Sequence, residues 1–442
     1  MKHIFARITG TAVLLVVMFT IGASWRDLRG IHSLSTLRKQ VAMVPVDLDL
    51  ALMTAARGQS DDQTPYETYA DVLTTLKDNY YSDSDKDIDS TQMTYNAIRG
   101  MVGSLHDRYT TFMDPTAYQE MMEDNEGQFV GIGALLGTND QNQVYVVKVL
   151  PGGPARKYHV MAGDVIVKVD DKPTLKMKDT DVVKLIRGQR NTKVTLTVMR
   201  KNVAHPIAIS MPRDIVQQEV VQSRMLDPVN HIGYISLSVF NEESDVQLES
   251  AMTDLESQGA RGLVLDLRDN PGGLLDIAAR IASRFIPAGP VLWTKDKTGP
   301  MEPYDTVTGL HRWGRPLVVL VNGNSASAAE ILSGSIKDTG AGILVGEKTF
   351  GKGVVQTIMG LRDGSAVKIT TQHYYTARKH DINHKGIEPN IAIKFTDDDQ
   401  KKLVQFLKKH PDAPYDLQDD RQLQTALNQV SEQVRVASSK AD

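Results

Sequence analysis

The chain has 442 residues, roughly three times the ~150-residue span of a typical domain, so two or three folded units are expected. Hydrophobic residues at 41% and charged residues at 24% suit sizeable cores and exclude disorder throughout. The net charge of −4 leaves no electrostatic footprint for nucleic acid, and the absence of cysteine excludes disulfides, thiolate metal sites and a cysteine nucleophile.

Lys2 and Arg7 precede an uncharged run, Ile8 to Trp25. Its length suits a short membrane anchor or a secretory leader, with Gly22, Ala23 and Ser24 as small residues near a cleavage point; a buried soluble helix is the bland alternative. Residues 1–30 are therefore read as signal peptide or anchor, with the body outside the cytoplasm. From 31 to 126 the chain reads helical and polar. ETYADVLTTLKDNYY (67–81) and TQMTYNAIRGMVGSL (91–105) carry apolar residues near helical spacing around an acidic turn.

Beyond Gly127 the pattern changes. FVGIGALLG, QVYVVKVL, DVIVKVD and KVTLTVMR are short β-rich runs, and DTDVVKLIRG can form a helix with Val182, Leu185 and Ile186 on one face. This is an α+β module over 127–212, suited to recognition. From His231, strand and helix candidates alternate: HIGYISLSVF, NEESDVQLESAMTDLESQG, ARGLVLDLRDN with PGG, LLDIAARIASRFI, PLVVLVN, SAAEILSGSIKD and AGILVG. That order predicts an α/β core with a parallel component over 213–396. Residues 397–442, KKLVQFLKKH and a polar stretch, are expected to form a peripheral helical tail.

The chemistry concentrates after PLVVLVN. Ser327 precedes Glu330 by three positions, a capping-box spacing, and the plain reading is a helix cap. A serine at a strand-to-helix turn can equally face a substrate, with nearby backbone amides stabilising oxyanion charge; the G-x-S-x-G elbow is missing. His231, His380 and His384 offer no obvious base, and H-E-x-x-H is absent. Lys352, between Gly351 and Gly353, can act as a base if burial keeps it neutral; a solvated loop lysine is the simpler alternative. GEKTFGKG lacks the ending of a phosphate loop.

Taken together these segments resemble the carboxyl-terminal processing, or tail-specific, proteases, serine–lysine peptidases with an embedded PDZ domain. The resemblance rests on FVGIG (129–133), GGPARKYHVMAGD (152–164), GYISLSVF (233–240), LVLDLRDNPGGLL (263–275), VLVNGNSASAAEILSGSIKD (319–338), GEKTFGKGVVQ (346–356), ITTQHYYT (369–376) and KGIEPN (385–390). It implies a multidomain α+β and α/β fold: helical N-terminal region, PDZ domain and protease core. It further implies Ser327 as nucleophile, Lys352 as general base and Gln356 as the residue positioning the lysine. The oxyanion hole would combine the amide of Ala328 with that of Gly272 or Gly273. Gly131, Ile132 and Gly133 would hold a substrate's terminal carboxylate, while Val182, Leu185 and Ile186 line the side-chain pocket or pack beneath it. Expected partners are protein or peptide substrates with apolar C-termini, with an adaptor and homo-oligomerisation left open, the membrane through residues 1–30, and no nucleic acid, metal or cofactor. The competing reading is a catalytically silent PDZ scaffold; an esterase is a third. HDRYTTF (106–112) departs from the Asp-Pro-Tyr-Ser/Thr turn frequent in the family, TARKH (376–380) and Asn390 depart near the core's end, and Ala329 stands where many members have serine.

Overall fold

The computed structural model describes residues 64–81, 88–396, 398–399, 401–402 and 420–439. The chain divides into two units, residues 1–90 and 91–442. In the first, α1 (Pro65–Asn79) begins at Thr64, whose amide donates to Glu67 Oε2 at 3.0 Å while Pro65 needs no acceptor. The expected membrane anchor, and with it the membrane as a partner, is corrected: among the described residues no helix is long and apolar enough to cross a membrane. The helix of 19 residues that would have the length is interrupted by Gln, Asn, Glu and Arg. Ile8–Trp25, which carried the expectation, lies outside the described residues.

In the second unit α2 (Ser90–Gly103), β1 (Thr111–Met113) and α3 (Pro115–Glu126) lead into the recognition module. Asp114 caps α3 by accepting from the Ala117 amide at 3.0 Å, and Gly127, at φ +69°, ends it. The next strand, β2 (Gln128–Gly131), pairs antiparallel with β9 (Asp214–Gln217), so the strands entering and leaving the module lie side by side. Between them run β3 (Ala134–Thr138), β4 (Val144–Val149), α4 (Pro154–Lys157), β5 (Val165–Val169), β6 (Lys172–Pro173), α5 (Asp179–Ile186), β7 (Lys193–Met199) and β8 (Ile207–Pro212). The antiparallel sheet has the order β3-β4-β5-β7-β8, with β6 on β5. In β7 the alternation Val194, Leu196, Val198 puts three fully buried side chains on one face, as a sheet covered on one side requires.

The core is built from β10 (Val221–Asp227), β11 (Ile232–Leu237), α6 (Ser244–Ser257), β12 (Gly262–Asp266), α7 (Leu275–Ala282), β13 (Pro290–Asp296), β14 (Glu302–Asp305), β15 (Leu317–Val321), α8 (Ala328–Thr339), β16 (Ile343–Gly346), β17 (Val354–Gly360), β18 (Ala366–Thr376), β19 (Ile391–Ala392) and α9 (Arg421–Ser439). Its main sheet is ordered β10-β11-β12-β15-β16-β19, antiparallel at the first pair and parallel thereafter. β12 and β15 are buried at every position, because both faces are covered. Leu263, Leu265, Val319 and Val321 pack with helices α6 to α8, whereas Val264, Val318 and Leu320 pack with Leu423, Ala426 and Val430 of α9.

That second face corrects the expected peripheral tail: α9 is the cover of the central sheet. Arg268, after β12, reinforces it by pairing with Asp266 at 2.6 Å and with Asp420, at the start of α9, at 2.8 Å. A second, antiparallel sheet, β1-β18-β13-β14 with β17 on β18, completes the core.

Candidate active site

Three loops leave the carboxyl ends of adjacent parallel strands: Leu267–Leu274 after β12, Asn322–Ser327 after β15 and Glu347–Gly353 after β16. In an open α/β sheet this is where chemistry collects. The first two are sewn together. Ala326 donates its amide to the Asn270 carbonyl at 3.0 Å, Ser325 Oγ donates to the Leu267 carbonyl at 2.8 Å, and Asn322 and Asn324 both donate to Asp269 Oδ1. Asn270, fully buried, reaches back to the Leu237 carbonyl at 2.8 Å.

Ser327 stands at the start of α8 with φ +53° and ψ −114°, a backbone state costly for any residue with a Cβ. The turn is therefore a strained elbow without the G-x-S-x-G sequence. Gly272 explains how the neighbouring loop approaches so closely: a Cβ there would lie 2.7 Å from Ser327 Cβ and 2.8 Å from the Ala328 nitrogen. The Gly272 amide is already committed to Asn270 Oδ1 at 2.8 Å. Among the described residues the amides of Gly273 and Ala328 have no hydrogen-bond acceptor. Of the two candidate glycines, then, Gly273 holds the free donor. It is fixed against Phe240, where a side chain would overlap the Phe240 carbonyl oxygen.

Lys352 lies in the third loop. Desolvation, then the nearby Lys368 and Arg108 charges, hold its amine below the ordinary lysine range, while Asp107 and Glu330 pull the other way. Its Nζ sits 4.7 Å from the centre of the Tyr109 ring. No hydrogen bond joins this amine to the Ser327 hydroxyl in this structure, nor to Gln356. The Gln356 amide instead donates to the Val354 carbonyl at 3.3 Å and to Thr370 Oγ1 at 3.5 Å. Among the described residues, then, Gln356 makes no hydrogen bond to Lys352.

Two further residues that link these loops were not legible as such from the sequence. Glu330, read from sequence only as a cap, is fully buried and accepts four hydrogen bonds: from the amides of Ser327 (3.0 Å), Lys352 (2.8 Å) and Gly351 (2.8 Å), and from Thr349 Oγ1 (2.5 Å). It fastens the serine turn to the lysine loop. Tyr374 does the same from β18, its hydroxyl donating to the carbonyls of Ser327, at 3.1 Å, and of Lys352. Burial pushes that hydroxyl well above the ordinary tyrosine range, so it remains a donor. The Ser-x-x-Glu spacing was the available signal for Glu330; nothing local marks Tyr374.

In the recognition module, Gly133 has φ +77° and approaches Gly153 so closely that a Cβ would lie 2.8 Å from its Cα. The carbonyls of Ile132 and Gly133 accept from Ala155 (2.6 Å) and Leu150 (2.9 Å), whereas among the described residues the amides of Ile132 and Gly133 have no acceptor. Gly131 ends β2. Val182 and Ile186 are buried in the core of the module, with Leu185 partly buried against it.

Comparison with known proteins matches two family models along the chain. A model described as PDZ domain matches residues 119–199, and one described as Peptidase family S41 matches residues 231–393. The carboxyl-terminal-processing protease of Synechocystis is 33% identical over 347 residues, which is 78% of this chain and 78% of that one. The chain belongs to peptidase family S41. Carboxy-terminal processing protease CtpA of Bacillus subtilis is 37% identical to the S41 chain over 323 residues, covering 73% of this chain and 67% of the relative. The carboxy-terminal-processing protease of Bartonella bacilliformis is 34% identical, covering 80% and 81%. A solved Bacteroides fragilis protein assigned to S41 shares the fold, with a TM-score of 0.51 at 17% identity over 87% of this chain and 100% of that one. This S41 protein is a serine endopeptidase that acts on C-terminal tails through its PDZ domain. Its kinship supports an extracytoplasmic location and says nothing of a membrane anchor.

Proposed function

We propose that Ser327 and Lys352 are the catalytic pair of this protease. The observation that carries the assignment is the pair of acceptor-free amides, Ala328 and Gly273, flanking a strained serine. Neutral Lys352 takes the Ser327 hydroxyl proton as the oxygen attacks the peptide carbonyl. The carbonyl oxygen becomes an oxyanion held by the Ala328 and Gly273 N–H groups. Lys352, now an ammonium, gives its proton to the departing amine. It then takes a proton from the water that hydrolyses the Ser327 acyl ester. The hydrogen bonds between Lys352 and Ser327 tighten when substrate is in place. Gln356 then supports the base from β17, its side-chain oxygen reaching Lys352 while its amide stays on Thr370.

Substrate recognition uses residues 127–212 as the PDZ domain and 213–396, with α9, as the protease core. The terminal carboxylate of a tail docks on the amides of Ile132 and Gly133. The peptide backbone extends β3 along its unpaired edge, beside α5. Residues 1–30 direct export and are removed from the mature chain.

Intact-mass spectrometry of a protein substrate with an apolar C-terminus tests the reading. Wild type should shorten it, and a folded Ser327→Ala variant should bind it without shortening it. Cleavage by Ser327→Ala at the wild-type rate would exclude Ser327 as nucleophile.

A further inference from the structure

Arg108 lies in HDRYTTF, the stretch after α2, at the surface beside the catalytic loops. Its guanidinium carbon sits 4.7 Å from the centre of the Tyr109 ring and 5.0 Å from that of Phe350, and it donates a hydrogen bond to the Tyr109 hydroxyl. Both rings belong to the site. Tyr109 is the ring on which Lys352 Nζ rests, also at 4.7 Å. Phe350 stands two residues before Lys352 and donates its amide to the Ser325 carbonyl at 3.1 Å, two residues before Ser327.

Arg108 has no ion pair among the described residues, although carboxylates are close. Asp107 accepts from the Tyr109 amide at 3.0 Å and from Thr110 Oγ1 at 2.7 Å, and the Glu330 oxygens are taken by the four donors described above. Lys368, the other cation near Lys352, likewise has no ion pair among the described residues. A guanidinium held near two rings, with one N–H on the Tyr109 hydroxyl, keeps its other N–H donors available and loses little freedom when a carboxylate arrives. Arg108 and Lys368, two cations near the neutral Lys352 and without an ion pair among the described residues, favour an incoming carboxylate.

We infer that Arg108 is a specificity-determining residue that pairs with a carboxylate of the substrate close to the scissile bond. The inference rests on Ser327 and Lys352 being the catalytic pair. The carboxylate can come from an Asp or Glu side chain or from the substrate's own C-terminus when the cut falls near it.

The test uses the full chain and quenched fluorescent peptides. One arm exchanges Glu for Gln at each position around the cut with the terminus fixed. The other exchanges free acid for amide with Gln fixed. In wild type, one of these exchanges should lower kcat/KM about tenfold, as expected for a partly exposed charge-assisted pair. The effect should shrink with added salt. In Arg108→Gln the Glu-to-Gln ratio should approach one and the acid-to-amide ratio should fall to that of peptide binding alone, measured on Ser327→Ala; Arg108→Glu should favour Lys over Glu at the same position. Ratios within one enzyme are insensitive to loss of folded protein. Ratios that are unchanged in Arg108→Gln belong to the PDZ domain or another group and overturn the inference, as does a wild-type Glu-to-Gln ratio near one together with an acid-to-amide ratio no larger than that of peptide binding to Ser327→Ala. Ser327→Ala run alongside separates the two claims: residual cleavage there refutes the catalytic pair, whatever the ratios.

Discussion

Ser327 and Lys352 present their backbone amides to a single carboxylate oxygen, Glu330 Oε2, at 3.0 and 2.8 Å. The elbow and the lysine loop, 25 positions apart in sequence, are thereby held at one fixed spacing. Glu330→Ala should lower kcat by about 100-fold or more, because misplacing one partner of a proton transfer is costly. It leaves three amides without their acceptor, so unfolding in denaturant should also register a loss of about 3 kcal/mol. A variant with wild-type turnover would show that the clamp does not set the geometry.

The amine of Lys352 is expected to act only when neutral, so kcat/KM should rise with pH through its depressed pKa. Lys368 and Arg108 favour the neutral form; Asp107 and Glu330 favour the charged one. Lys368→Met removes a cation, makes protonated Lys352 easier to hold, and should move the ascending limb to higher pH. Asp107→Asn should move it to lower pH. Lys352→Arg, which cannot lose its proton near neutrality, should be as inactive as Lys352→Ala. A pH profile unmoved by either neighbour would argue against Lys352 as the titrating base.

Gly272→Ala tests the packing of the oxyanion loop. The new methyl would meet Ser327 Cβ, the Ala326 carbonyl oxygen and the Ala328 nitrogen, all within 2.8 Å, at a residue with φ +103°. Something in the serine turn must shift, so kcat should fall by about 100-fold, comparable to losing one oxyanion donor. Binding of tail peptides, measured by calorimetry, should be unchanged, because the PDZ groove is a separate part of the fold.

Tail recognition is checked with the Ser327→Ala chain, which retains bound peptide. Peptides with an apolar free-acid end should bind about tenfold more tightly than their amides, the value of a partly solvated charge-assisted hydrogen bond on the Ile132 and Gly133 amides. Equal affinities would reject this carboxylate site.

The carboxyl-terminal helix offers a stability test. Leu423 is fully buried against Val264, Val318 and Leu320, so Leu423→Ala should cost about 3 kcal/mol in denaturant unfolding. A residue on a loose appendage would change stability by under about 0.5 kcal/mol.

What the sequence by itself determined follows from local physics. Period-two runs such as KVTLTVMR specified a one-sided sheet, and uninterrupted runs such as LVVLV specified strands buried on both faces. Gly-rich turns marked where chains approach closely, and the motif order marked Ser327 and Lys352. The tertiary structure decided what depends on groups distant in the chain. Gly272 and Gly273 are equivalent in sequence, and only the bond from Gly272 to Asn270 leaves Gly273 with the free amide. Glu330 reads as a cap until the lysine loop brings its own amides to the same carboxylate. The polar spacing of α9 suggested an appendage because its four buried apolar side chains, Leu423, Ala426, Val430 and Val434, have meaning only beside the sheet they cover. Arg108 and Phe350, 242 positions apart, come together because β1 pairs with β18, which also pairs with β17 after the Lys352 loop. Hydrogen-bond acceptors and cation partners of this kind are set by long-range pairing, and no periodicity along the chain encodes them.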